Sequence, residues 1–203
     1  MSAILSSLRN TIISGLTLSL LLLLTLYSWG TVDSSSLTDL AFYSFIFRWL
    51  HVLAAIMWIG LLWYFNFVQI PNMPKIPDEQ KPAIGKVIAP AALWYFRWAA
   101  MLTLISGIIL AHLNGYLVPA LQLGIFDGSN KNTVIGIGMW LAIIMAYNVW
   151  MVIWPNQKKA LGIVEADPET KAKSARTAML FSRTNTMLSV PMLLAMVAAQ
   201  NLS

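Results

Sequence analysis

Five apolar stretches, each about 20 residues long and bounded by turn formers or charge, constrain this chain more than any other feature. A hydrocarbon core about 30 Å thick takes about 20 residues of helix per crossing, and lipid tolerates no unpaired backbone groups. The stretches fall at 12–29, 42–69, 88–113, 134–154 and 178–199. The expected fold class is therefore all-α, an integral membrane bundle of five transmembrane helices forming a single domain over 1–203. Serine, glycine, proline and charge fill the intervals: 30–39, the prolines Pro71, Pro74, Pro77 and Pro82, 124–132, and 156–176. The second stretch is long enough to tilt or to extend beyond the lipid. Pro191 in the last stretch predicts a kink.

The first stretch is read as an anchor, residues 1–30, ahead of a four-helix core over 42–199. A cleaved signal peptide is the alternative, but the apolar run exceeds the roughly 7 to 15 residues of such a region and no clear cleavage site follows.

Charge supplies the orientation. Charged residues make up 10% of the chain, against roughly 25% in soluble domains, and every acidic residue lies outside the apolar stretches. Of the 13 basic residues, nine fall on one side (Arg9, Lys75, Lys81, Lys86, Lys158, Lys159, Lys171, Lys173, Arg176), Lys131 on the other, and Arg48, Arg97 and Arg183 within spans. The positive-inside rule then places the N-terminus in the cytoplasm and the C-terminus outside. The net charge of +5 reads as a topology device, so the expected environment is a lipid bilayer and no nucleic acid. The expected location is a cell membrane, multi-pass, of the bacterial inner-membrane type.

Cysteine is absent, which excludes disulfides, thiolate-held iron–sulfur clusters and covalently attached haem c, but leaves haem b open. No carboxylate lies in a span, so a di-iron carboxylate site and a carboxylate proton relay lack their ligands. A phosphate-cradling glycine loop, Gly-x-Ser-x-Gly and His-Glu-x-x-His are all missing.

Ionisable groups in lipid cost at least about 2.5 kcal/mol for arginine near the centre, so each of the five present is a candidate functional residue. They are Arg48, His51, Arg97, His112 and Arg183. Helical spacing sorts them, with nearby amides, into two layers. Toward the cytoplasmic end lie Asn66, Arg97, Asn148, Arg183 and Asn185, either a site for a planar anion or a set of interhelical hydrogen bonds with Arg97 and Arg183 snorkelling to lipid phosphate or lining helix ends. Toward the outer end lie Arg48, His51, His112 and Asn114. His51 and His112 are candidate haem b ligands as a pair, and His51 alone could serve with a methionine or a partner residue. Asn66 lies 18 residues beyond Arg48, which a regular α-helix returns to the same face.

The run Arg48-Trp49-Leu50-His51 through Trp58-Ile59-Gly60 to Tyr64-Phe65-Asn66-Phe67 joins three further blocks: Trp94-Tyr95-Phe96-Arg97-Trp98, Asn148 through Trp154-Pro155-Asn156-Gln157, and Ser182-Arg183-Thr184-Asn185-Thr186. Together they resemble the membrane domain of the membrane-bound urate hydroxylase family, also called the urate oxidase N-terminal domain, over about 45–199. The resemblance implies a membrane oxidoreductase that handles urate and passes electrons toward a cytochrome c. Longer members of that family carry their own c-type cytochrome domain, so here the acceptor is expected to be a separate protein.

Two functions follow as expectations. One is a redox protein of the urate hydroxylase type, binding haem and a planar anion such as urate. The other is a non-catalytic transmembrane subunit of a larger respiratory or other membrane complex. A small-molecule transporter is a weaker third, since inverted repeats are not evident.

Overall fold

The computed structural model describes residues 2–31 and 36–202; positions 32–35 of the expected 30–39 loop lie outside the described residues. All elements among the described residues are helical. The chain divides into two compact units, Met1–Ile46 and Phe47–Ser203.

The first unit contains α1, Leu8–Ser28, capped by Ser7, whose side chain accepts from the Asn10 N–H. None of its residues is buried within the protein. Its Thr17, Ser19 and Thr25 hydroxyls donate to the carbonyls of Ile13, Gly15 and Leu21, so polar side chains in an apolar helix find partners on their own backbone.

Long helices build the second unit. They are α2 (Leu40–Lys75, which begins in the first unit), α3 (Lys81–Leu113), the short α4 (Leu117–Leu121), α5 (Asn130–Ala160) and α6 (Pro168–Asn201). At 1.5 Å per residue the 36 residues of α2 cover about 54 Å, well beyond a hydrocarbon core. The core gathers Trp58, Leu62, Phe65, Leu93, Phe96, Met145, Val149 and Met192. Phe65 and Phe96 meet edge to face, with centroids 5.9 Å apart. Helix α4 lies close on α5: a Cβ at Gly136 would collide with the Ala120 carbonyl oxygen, so only glycine permits the approach.

Among the described residues four helices, not the five expected, are long and apolar enough to cross a membrane: α1, α2, α3 and α5. The exception, α6, is amphipathic in an inverted sense. Its buried face runs Ser174, Ala178, Ser182, Asn185, Ser189, Met192, Ala195 and Ala199, in steps of three and four. Its exposed face carries Leu180, Phe181, Met187, Val190, Leu194 and Val197. The inward serines and asparagine lower its mean hydropathy, and so do its charged residues, among them the exposed Lys173, Arg176 and Arg183. The helix continues through Pro191.

Three helices contain a wider, π-helical turn: Tyr64–Gln69 in α2, Ile84–Ile88 in α3 and Asn148–Ile153 in α5. At the end of each, an N–H reaches back five residues, from Ile70 to Phe65, Ala89 to Ile84 and Trp154 to Val149. The next residue is Pro71, Pro90 or Pro155. Proline offers no N–H and crowds the carbonyl four residues back, and a turn widened by one residue relieves that crowding.

Candidate functional site

The inner polar layer is assembled by the widened turns. Asn66 and Asn148 sit within two of them and both are buried. The Asn66 Nδ2 donates to the Leu62 carbonyl at 2.9 Å and to Ser182 Oγ at 2.8 Å. The Asn148 Nδ2 donates to Asn185 Oδ1, and Asn185 Nδ2 to the Met145 carbonyl, both at 2.9 Å. Arg97 is also buried, its guanidinium carbon 3.4 Å from the centre of the Trp154 ring. That stacking is a cation–π contact and gives the charge an aromatic face in place of a carboxylate. Four of the five expected residues of this layer are thus inside. Arg183 is not: it is exposed, because Ser182 and Asn185 take the buried face of α6 and the intervening position turns away.

At the other end of the second unit lies a half-open cavity of about 620 Å³ between α2, α3, α5 and α6. Its walls are largely apolar, including Trp58, Trp63, Met139, Met192 and Met196. None of Asn66, Arg97, Asn148, Arg183 or Asn185 lines it.

His51 does line it, and its environment determines its tautomer. The Nδ1 atom is 3.0 Å from the Thr103 carbonyl oxygen and 3.2 Å from Ser106 Oγ. A carbonyl can only accept, and the Ser106 hydroxyl spends its own proton on the Leu102 carbonyl at 2.6 Å. The proton therefore resides on Nδ1, shared between two acceptors, and Nε2 keeps its lone pair with no hydrogen-bond partner among the described residues. Gly107 provides the floor: a Cβ there would stand 2.9 Å from the imidazole Cε1.

His112 does not join it. The buried face of α3 passes through Thr103, Ser106, Leu110 and Ala111, and His112 is exposed, outside the cavity lining. The expected pair of imidazoles does not converge on this cavity. Asn114 is likewise exposed, its Nδ2 donating to the Leu110 carbonyl. Arg48, three residues before His51, lines the cavity mouth with Tyr116, Gln200 and Asn201. Sequence reading picks out Gly107 as a site of close helix contact but misses Thr103 and Ser106; the signal is the small-residue face the three share on α3, which leaves room for a ring from α2.

Residues 125–201 match the family model described as urate oxidase N-terminal. No curated protein and no solved structure matches the chain. The matched segment contains α5 and α6, and with them Asn148, Asn185 and the cavity residues Met139, Met192 and Met196, but it does not extend to His51 or Arg97. The blocks at 148–157 and 182–186 fall inside the matched segment, and those at 48–67 and 94–98 lie outside it.

Proposed function

We propose that the chain is a membrane redox protein of the urate hydroxylase type, holding a haem b in the α2–α3–α5–α6 cavity and passing electrons from urate to a separate cytochrome c. The observation that carries this reading is His51: Nδ1–H is anchored on the Thr103 carbonyl, and Nε2 is left with a free lone pair at the cavity wall. Metal-ligating histidines characteristically donate their second N–H to a carbonyl or carboxylate, which orients the ring and raises its basicity. A volume of about 620 Å³ suits a cofactor, and the absence of cysteine requires non-covalent attachment. The thioethers of Met139, Met192 and Met196, which share the lining with His51, would hold the group with it in place of His112.

A haem would supply one-electron transfer, with a potential set by its axial ligands and burial. The protein's own part is to hold the imidazole in one tautomer and to surround the site with apolar side chains. The asparagines and Arg97 have a different task in this reading, fastening α2, α3, α5 and α6 to one another. Urate would meet the chain at the cavity, since the Asn148 and Asn185 amides are already paired with each other and with the Met145 carbonyl.

That same pairing favours a second reading, a non-catalytic subunit of a larger membrane complex in which the amide layer is purely structural. An optical spectrum of the detergent-purified protein, supplied with haem b, separates the two. The redox reading expects a Soret band that is lost in His51→Ala and restored by added imidazole, together with urate-dependent reduction of a soluble cytochrome c. Wild-type protein that takes up no haem rejects it in favour of the subunit reading.

A further inference from the structure

The cavity has a polar end. Successive helices in the second unit are joined by short connections and run antiparallel, so the start of α2, the end of α3 and the end of α6 share one end of the bundle. Arg48, Tyr116, Gln200 and Asn201 come from those places, and all four line the cavity. His51 is one helical turn deeper than Arg48, and Trp63 on the same helix lies about 22 Å from Arg48 at 1.5 Å per residue. The interior between them is aliphatic and aromatic, and among the described residues no aspartate or glutamate belongs to the lining.

A permanent cation with no carboxylate among the described residues of the lining, at the end of an apolar chamber, is matched by an amphiphile with one anionic end. Tyr116 is half-buried; burial pushes its phenol above the ordinary value while the nearby Arg48 charge pulls it down. The phenol thus stays a neutral O–H donor close to the guanidinium. The Gln200 side chain adds an amide, whereas the Asn201 Nδ2 is committed to the Val197 carbonyl at 2.8 Å.

We propose that Arg48, with Tyr116 and Gln200, forms a carboxylate-binding site that orients an amphiphilic ligand with its acid at the mouth and its apolar body against Trp58 and Trp63. Guanidinium and carboxylate match as a two-pronged pair, and charge-assisted bonds of this kind are about twice as strong as neutral ones. Two ligands offer this chemistry: the propionate edge of haem b, which rests on the function proposed above, and a single-chain fatty acid from the membrane, which does not.

Quenching of tryptophan fluorescence tests the site, because Trp58 and Trp63 lie in the cavity wall. Purified full-length protein is titrated with haem b, haem b dimethyl ester, oleate and methyl oleate. The acids are expected to bind at least about tenfold more tightly than their esters. Arg48→Gln, an exposed position, should bring each acid down to the affinity of its ester and leave the ester unchanged, and Tyr116→Phe should act in the same direction more weakly. Haem and its ester binding equally well, with oleate also indifferent to Arg48→Gln, would overturn the carboxylate site while leaving the haem reading intact. Oleate binding that depends on Arg48, without any haem uptake, would keep the site and reject the haem. If none of the four ligands binds, both readings fall.

Discussion

Replacing Gly107 with alanine tests whether α3 is shaped around the His51 ring. The new Cβ would lie 2.9 Å from Cε1 and 3.2 Å from Nδ1 of His51, whereas carbon atoms in ordinary contact stand about 3.5 to 4.0 Å apart. The ring must therefore retreat by about 0.6 Å. Its Nδ1 bond to the Thr103 carbonyl is 3.0 Å long, so the same retreat takes it to about 3.6 Å, beyond useful hydrogen bonding. A lost bond of this type costs about 0.5 to 1.5 kcal/mol, and a side chain pushed off its rotamer costs a similar amount. Alanine in a helix interior returns about 0.5 to 1 kcal/mol relative to glycine. The net change in stability is thus small, between about zero and 2 kcal/mol, while the imidazole loses its anchored tautomer. Thermal unfolding in detergent should shift little, and haem affinity measured on the same samples should fall about tenfold or more, the equivalent of 1.4 kcal/mol. Gly85→Ala, in the same helix but outside the cavity lining, is the control, since nothing lies within 4 Å of a Cβ there. Unchanged haem affinity in Gly107→Ala would refute the claim that this ring position is the functional one.

Asn185→Leu removes both the acceptor for Asn148 and the donor to the Met145 carbonyl from a site with 0% exposure. Interhelical bonds in membranes average about 0.6 kcal/mol each, and a stranded buried partner costs about 1 to 3, so a loss of about 1 to 4 kcal/mol is expected in unfolding by graded detergent denaturation. A loss under about 0.5 kcal/mol would show that the amide layer does not fasten the bundle. Asp167 caps α6 by accepting from the Thr170 N–H at 2.8 Å and the Thr170 hydroxyl at 2.6 Å, and these bonds hold its carboxyl below the ordinary 3.8. A depressed folded-state value means that its stabilisation is complete above about pH 4 and is lost as pH falls through the lowered value. Protection of the first turn of α6 against hydrogen exchange should decline over that acid range in the wild type, and Asp167→Asn should lack that titration; identical profiles would contradict the cap.

The crossings were legible because lipid imposes a length and a composition, and α1, α2, α3 and α5 follow both. Burial of Asn66, Arg97, Asn148 and Asn185 was legible for the same reason: a polar group avoids acyl chains by turning inward. Phase along the helix was harder. Spacing in units of 3.6 residues assigns Asn66 to the face of Arg48, but the widened turn at Tyr64–Gln69 breaks that regular count. Asn66 ends on Ser182, while Arg48 stands exposed at the cavity mouth. Pro71, Pro90 and Pro155 were the available signal, since each follows directly on the residue that closes a widened turn, although Pro191 has none before it. Depth along the helix groups Arg183 with the inner layer, but depth does not give its phase around the helix. The serines at 182 and 189, with Asn185, already define the inner stripe of α6, and position 183 is 100° away from 182.

The two polar layers also differ in what a ligand must displace. At Asn148 and Asn185 the amides are bonded to each other and to the Met145 carbonyl, so an anion entering there has first to break two bonds within a packed interface. Taking each at about 0.6 to 3 kcal/mol, the handicap is about 1 to 6 kcal/mol, or about one to four powers of ten in affinity. At His51 the bonds to Thr103 and Ser106 are made by Nδ1, and a ligand on Nε2 leaves them in place. It can even strengthen them, because electron donation from Nε2 makes the Nδ1 proton more acidic and its bond to the carbonyl shorter. Binding at the cavity would therefore add interactions to a framework that the Asn148–Asn185 pair helps to fix, and a ligand on Nε2 of His51 would leave every bond of that framework in place.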